Sequence, residues 1–420
     1  MDLDAASPTD RLAGFDADDV DGEYRRRHLG ELSDDQLFAI AARVVARPKQ
    51  DRATSFILHA PLELLARRAL LRLVPADRRD GVRKRMVWVA ATYERAGHRL
   101  EPVASRTFES PAAARSALVH ATGEKDLDVV DAAAWWLCRH ASTDDVMALA
   151  PSTVTSLAAA GHASIYFFHL GRTGLGNRAA LALLRPLVRE VARQPELRVE
   201  WTQHEIETGG SDARSFADAL ARTPHLGFPG SDFIFPTVHQ VDSGGQARRV
   251  IAGSLPPDLA GAGTAMLRVA AMSMLQDDVA FAPYGWSHCL TLPQSVLGII
   301  PWMSNPWVAT ATAATYVVAF RAAQSSGDVD IDWQPDRTAA TPADAIDADP
   351  ETAASAVYHA SDDELATIVG EVAARAATHR DAHVAKYTLA CLDAAADDPP
   401  QRRLYLAAAA YLGAWWANQP

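Results

Sequence analysis

The sequence has few cysteines, no excess of basic residues and no long apolar run. Its only cysteines are Cys138, Cys289 and Cys391, none in a CxxC spacing, so neither a disulfide framework nor a cysteine-based zinc knuckle is expected. No stretch of 18 apolar residues predicts a membrane span. With a net charge of -12, the chain lacks the excess of basic residues that binding to nucleic acid or anionic lipid requires. Residues 1–19 are acidic and unlike a signal peptide, so we expect a cytoplasmic protein without nucleic-acid or membrane partners.

Lysine is also scarce. Of the 40 basic residues, only Lys49, Lys84, Lys125 and Lys386 are lysines, which leaves 36 arginines. Codon bias in a GC-rich genome is one explanation. The other is that a retained lysine marks a position that needs an amine, because a guanidinium cannot replace it chemically.

The remaining composition, 49% hydrophobic and 22% charged, is typical of a folded chain with a sizeable core. Apolar residues recur at helical spacing from Ser33 onward. Capping boxes at Ser33–Gln36 and Ser361–Glu364 predict helix starts, and Pro61 suggests a first helical position. Further helices are predicted near residues 81–97, 110–121, 127–139, 143–149, 152–170, 176–194, 212–221, 259–276, 292–300, 307–324, 362–378, 380–395 and 401–417.

Strand signals are few, the run Arg249–Ala252 being one of them. Residues 222–258 and 325–350 are predicted to be long loops, either lids or surface excursions. Together these patterns predict an all-α protein with few or no strands. An acidic tail over residues 1–30 would precede a single large helical domain over residues 31–420.

The segment His379–Asp393 is the most informative. If it is one helix, His379, His383 and Lys386 share a stripe flanked by Tyr387 and Leu389. The stripe could face solvent. If it is buried instead, an isolated ammonium would be costly, whereas a neutral amine can add CO₂ and form a carbamate, an anionic oxygen ligand for a metal ion.

Four other histidines lie in apolar surroundings. His59 stands just ahead of a predicted helix, His162 and His169 are seven residues apart on an apolar helix, and His288 is in a predicted loop-to-helix passage. Each could be a core histidine that donates to a backbone carbonyl. Together with one carboxylate-like oxygen, several imidazoles suit iron, manganese or zinc. No GxSxG, Walker A or HExxH motif competes, and the glycines of Gly171–Gly176 follow no strand.

The motif Asp381-Ala-His-Val-Ala-Lys386, followed by Ala390-Cys391, resembles the D-x-H-V-x-K signature of the questin oxidase-like family. The segments around His59, His162 and His288 occur in that family's order. His162-Ala-Ser-Ile165 matches its H-x-x-I run, which favours His162 over His169. The chain departs from the family at His59, which follows a leucine where relatives often have asparagine.

The resemblance implies an all-α enzyme that cleaves a ring of aromatic polyketides such as anthraquinones, using O₂ and a non-haem Fe(II) ion or another divalent transition metal. It implies a metal bound by His59, His162, His288, His383 and a CO₂-derived carbamate on Lys386. A small aromatic substrate is the expected partner, and the oligomeric state stays open. The alternatives are an NADPH-dependent Baeyer–Villiger-type monooxygenase, a hydrolytic metal site on the same scaffold, and a non-catalytic helical binding protein.

The tryptophans offer a candidate lining for an aromatic pocket, although core packing is the commoner role of such residues. They are Trp286, Trp302, Trp307, Trp415 and Trp416.

Overall fold

A computed structural model describes residues 9–100, 104–173, 178–227 and 234–419. Over these ranges the regular structure is helical. Two isolated antiparallel bridges, Lys49 with Arg99 and Ser156 with Arg198, are the only strand-like pairings. The predicted all-α class is confirmed. Within the same ranges, no helix is both long enough and apolar enough to cross a membrane.

The chain divides into two compact units. The N-terminal unit comprises the residues up to Arg72 together with Ala76–Arg198, and the C-terminal unit comprises Leu73–Pro75 and Val199–Pro420. The sequence predicted one domain from residue 31 onward. No stretch rich in proline, glycine or serine marks the boundary at Arg198.

The N-terminal unit begins with residues that the sequence assigned to a tail. Residues 1–8 lie outside the described ranges, but from Thr9 onward the segment is folded. The side chains of Leu12, Phe15, Tyr24 and Leu29 are buried. The buried Arg83 guanidinium donates to Tyr24 Oη and to the carbonyl of Leu29. The apolar residues spaced between the acidic ones therefore form part of the core.

The helices of the N-terminal unit are α1 Val20–Arg26, α2 Asp34–Val45, α3 Ser55–Leu70, α4 Arg79–Arg95, α5 Pro111–Gly123, α6 Leu127–His140, α7 Thr143–Met147, α8 His162–Thr173, α9 Arg178–Ala182 and α10 Leu184–Arg193. The predicted capping box opens α2, since the Gln36 N–H donates to Ser33 Oγ at 3.2 Å and the Ser33 N–H donates to Gln36 Oε1 at 2.9 Å. The continuous helix predicted over residues 152–170 is wrong, because a left-handed turn precedes His162.

Helix α3 starts earlier than the sequence suggested. Thr54 caps it by accepting the Ile57 N–H, and Pro61 lies inside the helix. Proline inside a helix forgoes one main-chain hydrogen bond, but here the helix continues through it. His59 consequently sits in the second turn of α3 and not ahead of a helix.

The helices of the C-terminal unit are α11 Ala213–Ala221, α12 Ile234–Ser243, α13 Gln246–Ile251, α14 Leu259–Gln276, α15 Ser287–Leu297, α16 Pro306–Gln324, α17 Pro342–Ala345, α18 Pro350–Tyr358, α19 Asp362–Thr378, α20 Ala382–Asp397 and α21 Arg402–Ala417. Helices α14, α15, α16, α20 and α21 pack against one another as its core. The predicted strand at residues 249–252 is wrong, because most of it lies in α13. The predicted loops 222–258 and 325–350 likewise contain helices α12, α13 and α17.

A buried ion pair links α14 to α16. Arg321 Nη1 lies 2.7 Å from Asp277 Oδ2, and both side chains are almost fully inaccessible to solvent. Arg321 also donates to Ser273 Oγ and to the carbonyl of Gly327, each at 2.7 Å. A buried charge is tolerated when it is paired and hydrogen-bonded in this way.

Candidate metal centre

The five predicted ligands fall into two groups. His59 and His162 belong to the N-terminal unit, and His288, His383 and Lys386 belong to the C-terminal unit. All five side chains are buried. The two groups are described separately.

In the N-terminal unit, α3 packs against α8 and brings two imidazoles into contact. The Nε2 atoms of His59 and His162 are 3.0 Å apart, and the ring planes are nearly perpendicular, at 82°. His59 Nδ1 lies 2.6 Å from the carbonyl oxygen of Ser55, and His162 Nδ1 lies 2.9 Å from that of Ala159. Helix packing thus joins residues that are 103 positions apart in the sequence.

These contacts define the tautomer of each ring in its neutral form. A carbonyl oxygen only accepts hydrogen bonds, so each Nδ1 carries the proton and each Nε2 of a neutral ring carries a lone pair. Two lone pairs facing each other repel unless a cation lies between them. Two imidazole nitrogens bound at right angles to one metal ion, each about 2.1 Å away, are about 3.0 Å apart. The pair therefore fits two adjacent ligands of one ion.

An unusual turn precedes His162. Ala159 and Ala160 have left-handed backbone angles, with φ of 50° and 52°, and Gly161 follows with φ of 70°. An alanine in this region costs roughly 1–2 kcal/mol, because its Cβ crowds the carbonyl oxygen. The turn aims the Ala159 carbonyl at the His162 ring. Strain of this kind tends to occur at functional sites.

The competing histidine of α8 is His169. It is buried but lies seven residues beyond His162, which corresponds to about 10 Å along a helix. His162, at the first position of α8, is the one whose ring faces His59.

In the C-terminal unit, a π-helical turn over Ala282–Trp286 leads directly into α15. The predicted loop before His288 is therefore wrong. The His288 Nδ1–H donates to the carbonyl of Tyr284, inside the π turn. Gly285 leaves room for the side-chain amide of Gln324 on α16, because a Cβ there would lie 1.8 Å from Gln324 Oε1. π turns are rare and often mark functional sites.

His383 is oriented by a carboxylate. Asp381 caps α20, and its Oδ1 accepts the His383 N–H at 2.7 Å and the ring Nδ1–H at 2.8 Å. Asp381 Oδ2 accepts the Tyr284 hydroxyl at 3.2 Å. The ring of His383 lies edge-on to those of Tyr284 and His288, each with its centroid 4.9 Å away. A carboxylate that holds a histidine in this way is common behind bound metal ions.

Lys386 lies one turn beyond His383 and is only 2% exposed. The solvent-facing interpretation of this stripe is therefore wrong. Burial, and next the charge of Lys386, lower the pKa of His288 to about 3. His288 is accordingly a neutral imidazole near pH 7, the form that binds metal ions.

His379 does not belong to the stripe. It is the C-cap of α19, so the helix predicted over residues 379–393 starts three residues too early. Its Nδ1 accepts the Asp381 N–H at 3.0 Å, and its ring lies 5.3 Å from that of Trp416. The change of direction between α19 and α20 separates His379 from His383.

Aromatic residues continue from this group toward the surface. The Tyr284 ring, 39% exposed, lies 6.2 Å from the ring of Trp416, which in turn lies 5.0 Å from Trp415. Trp286 is fully buried, and its indole N–H donates to the carbonyl of Asp278. Trp286 thus packs in the core, whereas Trp416 lies beside the residues that orient His383.

All four predicted imidazole ligands share one feature: the Nδ1–H of each ring donates a hydrogen bond to an oxygen atom. The acceptors are main-chain carbonyls for His59, His162 and His288, and a carboxylate for His383. The sequence did not reveal the part of Tyr284, because its partner Asp381 is 97 residues away. The role of Asp381 could have been predicted from the sequence, because it stands at the start of α20, two residues before His383.

Comparison with protein-family models, with curated proteins and with solved structures found no match for this chain.

Proposed function

We propose that this protein is a non-haem iron oxygenase that cleaves a ring of a quinone or another polycyclic aromatic polyketide. The main support for a metal site in this proposal is that the four imidazoles are oriented in the same way. Each Nδ1 is committed to an oxygen acceptor, so each Nε2 presents a lone pair. The resemblance at Asp381–Lys386 supports the choice of reaction.

The proposed ligand set is His59, His162, His288, His383 and a carbamate on Lys386. Imidazoles combined with one anionic oxygen suit Fe(II) better than zinc, which prefers four ligands in a tetrahedral arrangement. When bound, iron would activate O₂ toward an electron-rich aromatic ring. CO₂ addition to the neutral Lys386 amine would form one C–N bond and release one proton, and it would leave an anionic oxygen donor.

The residues around these side chains have defined tasks in the proposal. Ser55, Ala159 and Tyr284 fix three imidazoles through main-chain oxygens, and Asp381 fixes the fourth. Burial of all five side chains excludes water. Tyr284 and Trp416 offer aromatic surface beside His383 for a planar substrate.

Metal analysis of the purified protein is the direct test. We expect about one iron per chain in wild type and in Lys84→Arg, whose lysine is paired with Asp21 on the surface. Lys386→Arg keeps a cation but cannot form a carbamate, so we expect at least a tenfold loss of bound metal. Wild-type protein without a transition metal, or Lys386→Arg with full occupancy, would contradict the proposal.

Oxygen uptake with a hydroxylated anthraquinone separates the reactions. Ring cleavage by a dioxygenase places both atoms of ¹⁸O₂ in the product without an added reductant. A monooxygenase instead incorporates one atom, forms water and consumes one NADPH. Metal binding without oxygen uptake under either condition would leave a hydrolytic or binding role.

A further inference from the structure

The four lysines of the chain divide into two kinds. Lys84 lies 2.7 Å from Asp21, and Lys125 lies 3.0 Å from Glu196, both at the surface. Lys386 and Lys49 are buried. Among the described residues, no carboxylate lies within ion-pair distance of Lys49.

Lys49 is held by contacts with Arg99, Glu94 and Tyr93. Lys49 pairs with Arg99 in a short antiparallel bridge. Its Nζ donates to the carbonyl oxygen of Glu94 at 3.3 Å and lies 4.7 Å from the centroid of the Tyr93 ring. The carboxylate of Glu94 is engaged by Arg99 and, at 3.9 Å, by Arg47. Among the described residues, the charged side chains that act on the amine, those of Arg99 and Arg47, are therefore cations.

These surroundings disfavour the ammonium form. Burial, followed by the charges of Arg99 and Arg47, lowers the pKa of Lys49 to about 8. Near pH 7.5 roughly a quarter of such an amine is neutral, compared with about one part in a thousand for an ordinary lysine. Only the neutral amine is a nucleophile.

A small cavity adjoins this lysine. Its volume is about 10 Å³, roughly the space of one water molecule. Ile57, Leu58 and Leu187 give it an apolar wall, and Arg189 and Glu190 also line it. Glu190 is paired with Arg193 at 2.9 Å. Arg189 is buried, and its Nε has no acceptor among the described residues.

We propose that Lys49 is a CO₂-binding residue, which forms a reversible carbamate in the electrostatic field of Arg47 and Arg99. The ammonium first loses one proton to solvent. The lone pair of the neutral amine then forms a bond to the carbon of CO₂, one C=O π pair moves to oxygen, and the nitrogen releases a second proton to solvent. No oxidant or reductant is needed. The positively charged ammonium is replaced by a negatively charged carbamate. The guanidinium groups of Arg47 and Arg99, which repel the ammonium, attract the carbamate. This site is independent of the proposed iron centre.

Chemical trapping tests the proposal on the whole protein. The chain is equilibrated with ¹³CO₂ at pH 8.5, treated with triethyloxonium to convert carbamates into stable ethyl esters, digested and mapped by mass spectrometry. We expect labelled ester on Lys49 and none on Lys84 or Lys125, whose amines are ion-paired with carboxylates at the surface. At constant dissolved CO₂ and low occupancy, the trapped fraction should fall about a hundredfold for each pH unit below 8, because forming the carbamate from the ammonium releases two protons.

Two variants sharpen the test. Arg99→Gln removes a neighbouring cation and should lower trapping at Lys49 several-fold, whereas Lys84→Arg should leave it unchanged. Trapping at Lys386 reports on the proposed iron centre separately. An unlabelled Lys49 peptide, or equal labelling of Lys49 and Lys125, would overturn the inference.

Discussion

The imidazoles of His59 and His162 meet through their Nε2 atoms at 3.0 Å, while both Nδ1 atoms donate to main-chain carbonyls. Neither ring can turn its other nitrogen toward its neighbour without losing a buried hydrogen bond. An unmet buried donor costs about 1–3 kcal/mol. When both rings are neutral, the fold holds two acceptor nitrogens together, and a shared cation would relieve their repulsion.

Replacing either residue should abolish tight metal binding. We expect His59→Ala and His162→Ala each to lower metal affinity by more than tenfold. His169→Ala is the matched control, because it removes a buried histidine from the same helix as His162 and should retain the metal. Metal content and circular dichroism measured together check this. Equal metal loss in all three variants would point to general damage to α8.

Asp381→Asn should weaken metal binding without weakening the helix. Asparagine caps helices about as well as aspartate, but the charged acceptor of the His383 Nδ1–H is lost. Changes of this kind typically cost 10–100-fold in metal affinity. Asp381→Ala should show the same affinity loss and a further destabilisation of about 1 kcal/mol from the missing cap. Competition with a chelator and chemical denaturation measure the two effects.

Ala160→Gly should stabilise the metal-free protein. The left-handed backbone at Ala160 costs roughly 1–2 kcal/mol, and glycine removes this cost at an entropic penalty of about 0.5–1 kcal/mol. A net gain of about 1 kcal/mol is expected. Ala366→Gly, at an exposed position inside α19, should instead lose about 1 kcal/mol. Urea denaturation compares the two, and a loss at Ala160 would contradict the strain argument.

Asp277→Asn should be among the most damaging single substitutions. It leaves the buried guanidinium of Arg321 without its counter-charge, at an expected cost of about 3–5 kcal/mol. Asp332→Asn removes the partner of Arg214 at the surface, where an ion pair contributes about 0–1 kcal/mol. Thermal or urea unfolding under identical conditions should separate the two variants clearly.

The free energy of unfolding should rise with pH because the pKa of Lys49 is lowered in the folded protein. Its folded pKa of about 8 is below its unfolded value, so between about pH 8 and 10.5 the unfolded chain binds more protons than the folded one. The folding free energy should therefore become more favourable across this window in wild type. Lys49→Met lacks the effect, so the difference in unfolding free energy between the two proteins should shift in favour of wild type from pH 7 to pH 10. Denaturation in CO₂-free buffer tests this, and parallel pH profiles would refute it.

Capping chemistry made several helices predictable from sequence. Ser33 and Ser361 open α2 and α19 as expected, because a capping box acts through contacts only three residues apart. Helix α3 was placed too late because Thr54 and Pro61 are both plausible starts, and local sequence does not rank them.

Other features left no local signal. Ala159 and Ala160 adopt left-handed angles without the glycine or asparagine that normally mark them. The π turn at Ala282–Trp286 packs against α16, α20 and α21, which are distant from it in sequence. The candidate ligands could be selected by residue type and resemblance, but the contact of His59 with His162 depends on how α3 packs against α8.

The oxygen atoms that accept the Nδ1 hydrogen bonds also determine which imidazole can have its acceptor changed by a substitution. Three acceptors are main-chain carbonyls, at Ser55, Ala159 and Tyr284, which remain whatever side chain those positions carry. The fourth, at His383, belongs to the side chain of Asp381. A single substitution at Asp381 can therefore change the basicity of His383, while the other three imidazoles keep their orientation.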